Sequence, residues 1–584
     1  MCAEIAIEKG RQMSAHGTIS PWIAREIQSR AADLKADAAP DNCPPGFRHF
    51  LKNPDPLQQF AIDGTPFDPK DPIQRERAEG LMEKLAGIMQ VEPAPAGFNP
   101  NIPSGYTYLL QLIAHDLVES SLFLSRNQSS ILGLSNVRAR PLRLETIFGG
   151  GPVQCPYAYE VSESGFRDRL RLGRIRNGDG CLSDDFRDIA RARATEVLGN
   201  QYPEALIADA RNDSHAISSQ MVVMFHHLQI KILENLNTSG RVRSTESHVI
   251  DGQRKFVATQ AASALIYRRI IRNDVLAKIL HPDVRAAYEL GAVQVIDPPR
   301  GLDDGPWLVP LEFSFGFFRF GHAMIRARYS FNPQTPAPYG RLDLTEILEH
   351  TSEKNPARMP FENIWTIDWP RFFGNDEATT NFSVRIGPWS RLDIENAVRG
   401  SEPNEPGLTV RDLTSSIATQ PWSVRALAET LNKTHGKLLR LSPYLAGALD
   451  DAKNPPWYND ISHWLSDRRC RPGQILDDNE IRILATDPPI PFFARFEAGM
   501  DPKIEGKHLG TLTSIVVADV FYGILQHDRL LDIDGNQDLA GELQQISKLV
   551  FDGEPDAFAG LEGITTVNSL IDFLGARIKF PIGG

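Results

Sequence analysis

Apolar residues along most of the chain recur at spacings of three and four, the period of a helix with one buried face, and strand-like alternation is scarce. From 311 to 332 the sequence reads LEFSFGFFRFGHAMIRARYSFN. Leu311, Phe315, Phe318, Ile325 and Tyr329 form the stripe there, and His322 takes the remaining place in it. The spacing predicts a helix that turns a histidine toward a core, with Arg319 three residues earlier on a neighbouring row. A second helix is expected over 104–124, after a proline and a serine, with Gln111, His115 and Val118 on one face. A third begins at Asp213 or Ser214, either of which can cap it, and turns Ile217, Met221, Phe225, Leu228 and Ile232 inward. Arg211 sits just ahead of it. Further helical patterns cover 254–292, 408–418, 424–431 after the break at Pro421, 492–498 and 512–525. The first hundred residues differ: a helical piece near 21–38 is followed by APDNCPPGF and VEPAPAGFNPNIP, whose prolines interrupt helix and sheet alike. The expected architecture is mainly α, a single large helical domain over 101–550. An arm over 1–100 wraps its core and a C-terminal extension covers 551–584.

Composition changes this picture only by exclusion. The 584 residues are 41% hydrophobic and 23% charged, which is ordinary globular material. Lys plus Arg number 62 against 74 Asp plus Glu, a net charge of -12 that argues against nucleic acid or anionic lipid as a partner. No apolar run is long enough for a membrane span, and MCAEIAIEKGRQMSAHG lacks the apolar stretch of a signal peptide, so a cytoplasmic location is the default expectation. The five cysteines, Cys2, Cys43, Cys155, Cys181 and Cys470, are scattered without a CxxC pair, which supports neither a disulfide framework nor a zinc or iron-sulfur site. Any metal must be held by histidine, carboxylate or a cofactor. The glycine run in NVRARPLRLETIFGGGP lacks the Lys-Ser/Thr of a phosphate loop, and the segment reads as irregular. His226 and His227 have no carboxylate at ligand spacing. DIDGNQDLAGEL begins like a calcium loop but has Gln537 where glycine makes the turn and Leu543 where glutamate closes it, so it reads as a solvated loop.

A lone histidine on an apolar helix face is most often a core residue bonded to a carbonyl; company elsewhere in the chain gives His322 more. The segment IPSGYTYLLQLIAHDL resembles the distal-helix motif of the animal-type haem peroxidases, the peroxidase-cyclooxygenase superfamily. IADARNDSH resembles the distal arginine motif of that family, and VPLEFSFGFFRFGHAMIRARYSFN is similar to its proximal histidine helix. WTIDWPRFF, LTVRDL, PIPFFARFEA and GKHLGTLTSIVVADVFYGIL are weaker echoes in the same order, especially that of the bacterial branch. The resemblance spans roughly residues 100 to 530.

It implies a haem b enzyme that reduces hydrogen peroxide and oxidises a small organic or halide donor through ferryl intermediates. His322 would bind the iron from the proximal side. His115 would move the peroxide proton, Arg211 would stabilise the developing charge, and Gln111 would hydrogen-bond water or a halide in the same pocket. Arg319 would pair with a haem propionate. Asp412, in LTVRDL, falls where the family sets an asparagine against the second nitrogen of the proximal histidine; pairing with Arg411 or capping a turn is its other reading. Family carboxylates that esterify haem are replaced by Ala114 and Ser214, so non-covalent haem is expected. Asp116 matches a calcium ligand, yet Arg143 stands where a second carboxylate belongs, so an ion pair in place of calcium is expected. A dioxygenase of the family would carry a radical-forming tyrosine at the position of Arg319, which favours the peroxidase over that alternative; Tyr108 and Tyr329 are other tyrosines that could take the role. The remaining alternative is a haem-binding protein without turnover.

Overall fold

The described chain opens on a two-residue strand, β1 (Phe47–Arg48), and its first helix is the 18-residue α1 (Pro72–Met89). Asp71 caps α1 by accepting the backbone N–H of Ile73 and Gln74, and Pro72 follows where a missing N–H costs nothing. The computed structural model describes residues 43–580 except 52–59, 63–64, 92–96, 120–133, 139, 163–164, 193–194, 198–199, 239–246, 293, 297–306, 336–339, 400–405, 448, 450–453, 469–474, 528–537 and 552–556. The helical piece expected over 21–38, Cys2, Cys470 and the DIDGNQ segment of the loop from Asp532 lie outside these residues.

A strand, β2 (Phe98–Pro103), leads into α2 (Gly105–Leu117), the helix that carries Gln111 and His115. It ends at Leu117, where Val118 turns extended, short of the expected 124. Next come α3 (Ala216–Thr238) and α4 (His248–Ile270), which pack on each other. The expected cap of α3 is corrected. Residues Ala210–Asp213 form a 3-10 turn capped by Asp209, and the regular helix starts only at Ala216. Its apolar face, Ile217, Met221, Phe225, Leu228 and Ile232, is buried as expected. β3 (Val309–Pro310) runs parallel to β1 and ties the start of the described chain to the segment that carries His322, while β4 (Phe382–Val384) pairs antiparallel with β2.

The remaining scaffold is helical: α5 (Leu408–Ala418), α6 (Val424–Leu439), α7 (Ile490–Met500) and α8 (Thr511–His527). From Thr511 to Leu525, α8 is buried on every face, which places it at the centre. Its one carboxylate, Asp519, is satisfied by the N–H groups of Val295 and Ile296 and the Tyr288 hydroxyl. Buried apolar side chains from Phe47 to Ile578 form one continuous cluster. Among the described residues no helix is long and apolar enough to cross a membrane.

Candidate functional site

The segment carrying His322 is not the regular α-helix that its spacing predicts. Residues Glu312–Gly316 form a π turn and Phe317–Met324 a 3-10 helix; the chain then extends, so Ile325 and Tyr329 lie beyond the helical part. Gly316 makes the change of winding with φ -119° and ψ -95°. It also lies so close to Ile490 that an added Cβ would sit 2.7 Å from the isoleucine Cγ2. With three residues per turn, Arg319 eclipses His322 directly instead of sitting on a neighbouring row.

The His322 ring is 31% exposed, and its Nδ1 lies 2.8 and 3.0 Å from the two oxygens of Asp412 on α5. Arg495 on α7 donates from Nη2 to the same carboxylate at 2.7 Å. Burial pushes the Asp412 carboxyl up, but His322, Arg495 and Arg319 outweigh it and hold it below the ordinary value. An ionised carboxylate only accepts, so Nδ1 carries the proton and Nε2 keeps its lone pair. No protein group among the described residues occupies that lone pair. Arg411 donates to the carbonyl of Pro406 instead of pairing with Asp412. Arg319 donates to the Ser314 carbonyl at 3.0 Å and lies over the Phe315 ring.

A second group gathers where α2 meets the start of α3. His115 Nδ1 is 2.9 Å from Oδ1 of Asn212, whose Nδ2 donates to the carbonyl and hydroxyl of Thr146. The amide oxygen is therefore the end facing the ring. His115 donates from Nδ1 and keeps its Nε2 lone pair. Burial, then the charge of Arg211, pull its pKa down to about 4, so the ring is neutral at pH 7. One turn earlier, Gln111 accepts from His215 Nε2 at 2.9 Å.

Arg211 is held tightly. It donates to the carbonyls of His115 and Val118 at 2.9 and 2.7 Å, so it caps the end of α2, and it forms two further bonds to Asp209 at 3.0 and 2.7 Å. The second Nη1 hydrogen has no partner among the described residues. Asp209 also receives Arg138 at 2.7 Å and the Thr146 hydroxyl at 2.9 Å. Burial works against its charge, yet Arg211, His115 and Arg138 bring its pKa down to about 2.

All six expected residues thus fall into two clusters, His322 with Asp412 and Arg319, and His115 with Arg211 and Gln111. No hydrogen bond or ion pair among the described residues joins the clusters, but α2 and the His322 segment pack against each other. Sequence reasoning missed Asn212, Asp209, His215, Arg138 and Arg495. Asn212 and His215 lie inside IADARNDSH, and Arg495 is the lone cation of the apolar run PIPFFARFEA, which was the available signal.

At the position matching a calcium ligand, Asp116 accepts the N–H groups of Leu144 and Thr146 at 3.0 and 3.1 Å, and the charge of Arg138 acts on its carboxylate. His226 and His227 bond the carbonyls of Arg171 and Phe186, as core histidines do.

No family model matches the chain and no curated protein matches it in sequence. Solved structures do share its fold. Peroxidase A from Dictyostelium discoideum aligns over 92% of this chain and 94% of its own with TM-score 0.53 and 10% identity. A fatty acid alpha-dioxygenase from Oryza sativa aligns over 97% and 92% with TM-score 0.50, also at 10% identity. At such identity the likeness is one of fold: the chain has the mainly α architecture of the animal haem peroxidase type.

Proposed function

We propose that this chain is a haem peroxidase that reduces hydrogen peroxide at the expense of a small organic or halide donor. The observation that carries the reading is the state of His322. Its Nδ1–H is held by an ionised carboxylate, its Nε2 lone pair is free and its ring is partly exposed, which is how histidine is prepared to ligate iron. Haem fits this donor set better than a bare ion, because no three His, Cys, Asp or Glu side chains gather as a coordination shell among the described residues. Asp412 makes the imidazole more electron-donating, and Arg319 offers a cation to a propionate. Ala114 and Ser214 provide no carboxylate for an ester, so the haem would be held without covalent links. We also propose that calcium is not required, since backbone amides already satisfy Asp116.

Bound haem would supply the redox chemistry of O–O cleavage. The protein supplies the proton transfers. His115 Nε2 takes the proton of the peroxide and returns it to the departing oxygen, while Asn212 keeps Nδ1 protonated throughout. Arg211 brings a permanent positive charge, and its remaining Nη1 hydrogen is the one it can offer to the leaving oxygen.

Purified protein loaded with haem should show a histidine-ligated Soret band, release its haem to acidified organic solvent and oxidise a phenolic dye with peroxide. Replacement of His322 by alanine should abolish haem binding. His115→Ala should slow the reaction with peroxide about 10²- to 10⁴-fold; dye oxidation at full rate would remove His115 from its role. The dioxygenase reading draws support from the rice structure and from Tyr108, whose ring lies 5.3 Å from His215 and whose hydroxyl donates to Tyr329. Oxygen uptake with a long-chain fatty acid, without turnover of peroxide and dye, would favour it.

A further inference from the structure

His215 is buried between α2 and α3, and its two nitrogens have opposite duties. Nδ1 lies 3.1 Å from the backbone N–H of Ser218, which can only donate, so Nδ1 must accept. A neutral ring then has its hydrogen on Nε2, and that nitrogen donates to Oε1 of Gln111 at 2.9 Å. Burial, with the field of His115 second, depresses the pKa of His215 to about 3, which keeps the ring neutral. Tyr108 sets its ring edge-on against the imidazole at 5.3 Å and fixes its plane. Moving the proton to Nδ1 would point an N–H at the N–H of Ser218, and flipping the ring would replace both nitrogens by C–H and lose both bonds, so the tautomer is locked.

The lock passes to Gln111. The oxygen and nitrogen ends of a free glutamine amide are nearly interchangeable in shape, and only its partners decide which way it points. Here the oxygen is taken. Nε2 has no protein partner among the described residues, and one turn further along α2 the His115 Nε2 lone pair is also free. We propose that His215 is a positioning residue that turns the Gln111 amide so that its hydrogens, not its oxygen, face the ligand side of α2, making that side selective for small ligands that accept a hydrogen bond. Donor and acceptor then stand one helical turn apart. A peroxide oxygen can accept from Gln111 and give its hydrogen to His115, whereas a small anion can use only the first. The inference rests on the peroxidase reading in taking this face of α2 as the ligand side; the tautomer itself does not depend on haem.

Two measurements separate the inference from that reading. In haem-free protein labelled with 15N-histidine, the long-range proton–nitrogen spectrum should show His215, recognised by its loss in His215→Phe, as the Nε2–H tautomer. An Nδ1–H tautomer overturns the proposal whatever the cofactor. In haem-loaded protein, fluoride titrated against the absorbance spectrum should bind roughly fivefold or more weakly in His215→Phe, the loss of one hydrogen bond. Haem content should be unchanged. Gln111→Leu should weaken fluoride similarly, and His215→Gln, which keeps a side-chain N–H, should recover most of the affinity. The KM for peroxide should rise in His215→Phe more than kcat falls. Equal fluoride affinity in the parent and in both His215→Phe and Gln111→Leu would overturn the proposal. Failure to bind haem at all would sink the peroxidase reading, and the tautomer would still decide whether His215 orients Gln111.

Discussion

Asn212 does for His115 what Asp412 does for His322: each takes the Nδ1 hydrogen and leaves Nε2 with its lone pair. The partners differ in charge. A carboxylate strengthens the ring as an electron donor, whereas a neutral amide leaves a buried imidazole a weak base, with its pKa held down to about 4 by burial and by Arg211. The sign of the consequence follows: above pH 4 the ring is neutral and can take the peroxide proton, and below it the ring is already protonated. The second-order reaction with peroxide should therefore stay level as pH falls from 7 to 5 and drop only near 4. A stopped-flow pH series checks this. A decline centred near 6.5, the value of an unperturbed histidine, would show that His115 is not the proton acceptor.

At the scale of elements, Glu312 links three pieces of chain that the sequence keeps far apart. Its buried carboxylate accepts from His49 Nδ1 at 2.9 Å, from the backbone N–H of Phe50 at 2.8 Å and from that of Trp422 at 2.8 Å. It stands in the π turn that begins the His322 segment. Burial alone would depress the pKa of His49, but Glu312, with Cys43 contributing, raises it to about 10. A histidine raised in the folded state stabilises fully below its unfolded value near 6.5, and the contribution is lost as pH climbs through 10. The melting temperature of the parent should fall between pH 7 and 10, and His49→Gln, which keeps a donor for Glu312 without titrating, should flatten that fall. An unchanged alkaline slope in the variant would assign it to other groups. Element boundaries were legible where local signals sufficed. The helix Leu408–Ala418 falls where its pattern places it. The His322 segment does not, because periodicity counts side chains and cannot register the change of winding at Gly316 or its packing on Ile490.

Among the described residues across the molecule, burial lowers the pKa of His115, His215, His226, His227 and His350 to about 4, 3, 4, 3 and 3, and also lowers those of His281 and His508. Each is depressed in the folded state, so the unfolded chain binds its proton first and stability drains away as pH falls below 6.5. The slope is at most about 1.4 kcal/mol per pH unit for each ring. Asp487 and Asp519, raised by burial to about 7 and 6, act in the opposite direction over part of the range. Urea unfolding should give a stability that decreases steadily from pH 6.5 to 4.5, and His226→Leu should lessen the slope. A stability that is level over that interval would mean that these rings are hydrated in the native state.

The sequence by itself determined the helical character of the chain, the buried face of Ala216–Thr238 and the residue types of the two clusters, because these depend on spacing and chemistry within a few turns. Tertiary structure alone decided which nitrogen of each histidine is free, that four of the five Arg211 hydrogens are already engaged, and that His215 holds Gln111. The reason is distance along the chain. Asp412 meets His322 across 90 residues, Asn212 meets His115 across 97 and His215 meets Gln111 across 104. A tautomer is set by its hydrogen-bond partner, and no local pattern specifies a partner that only folding brings near.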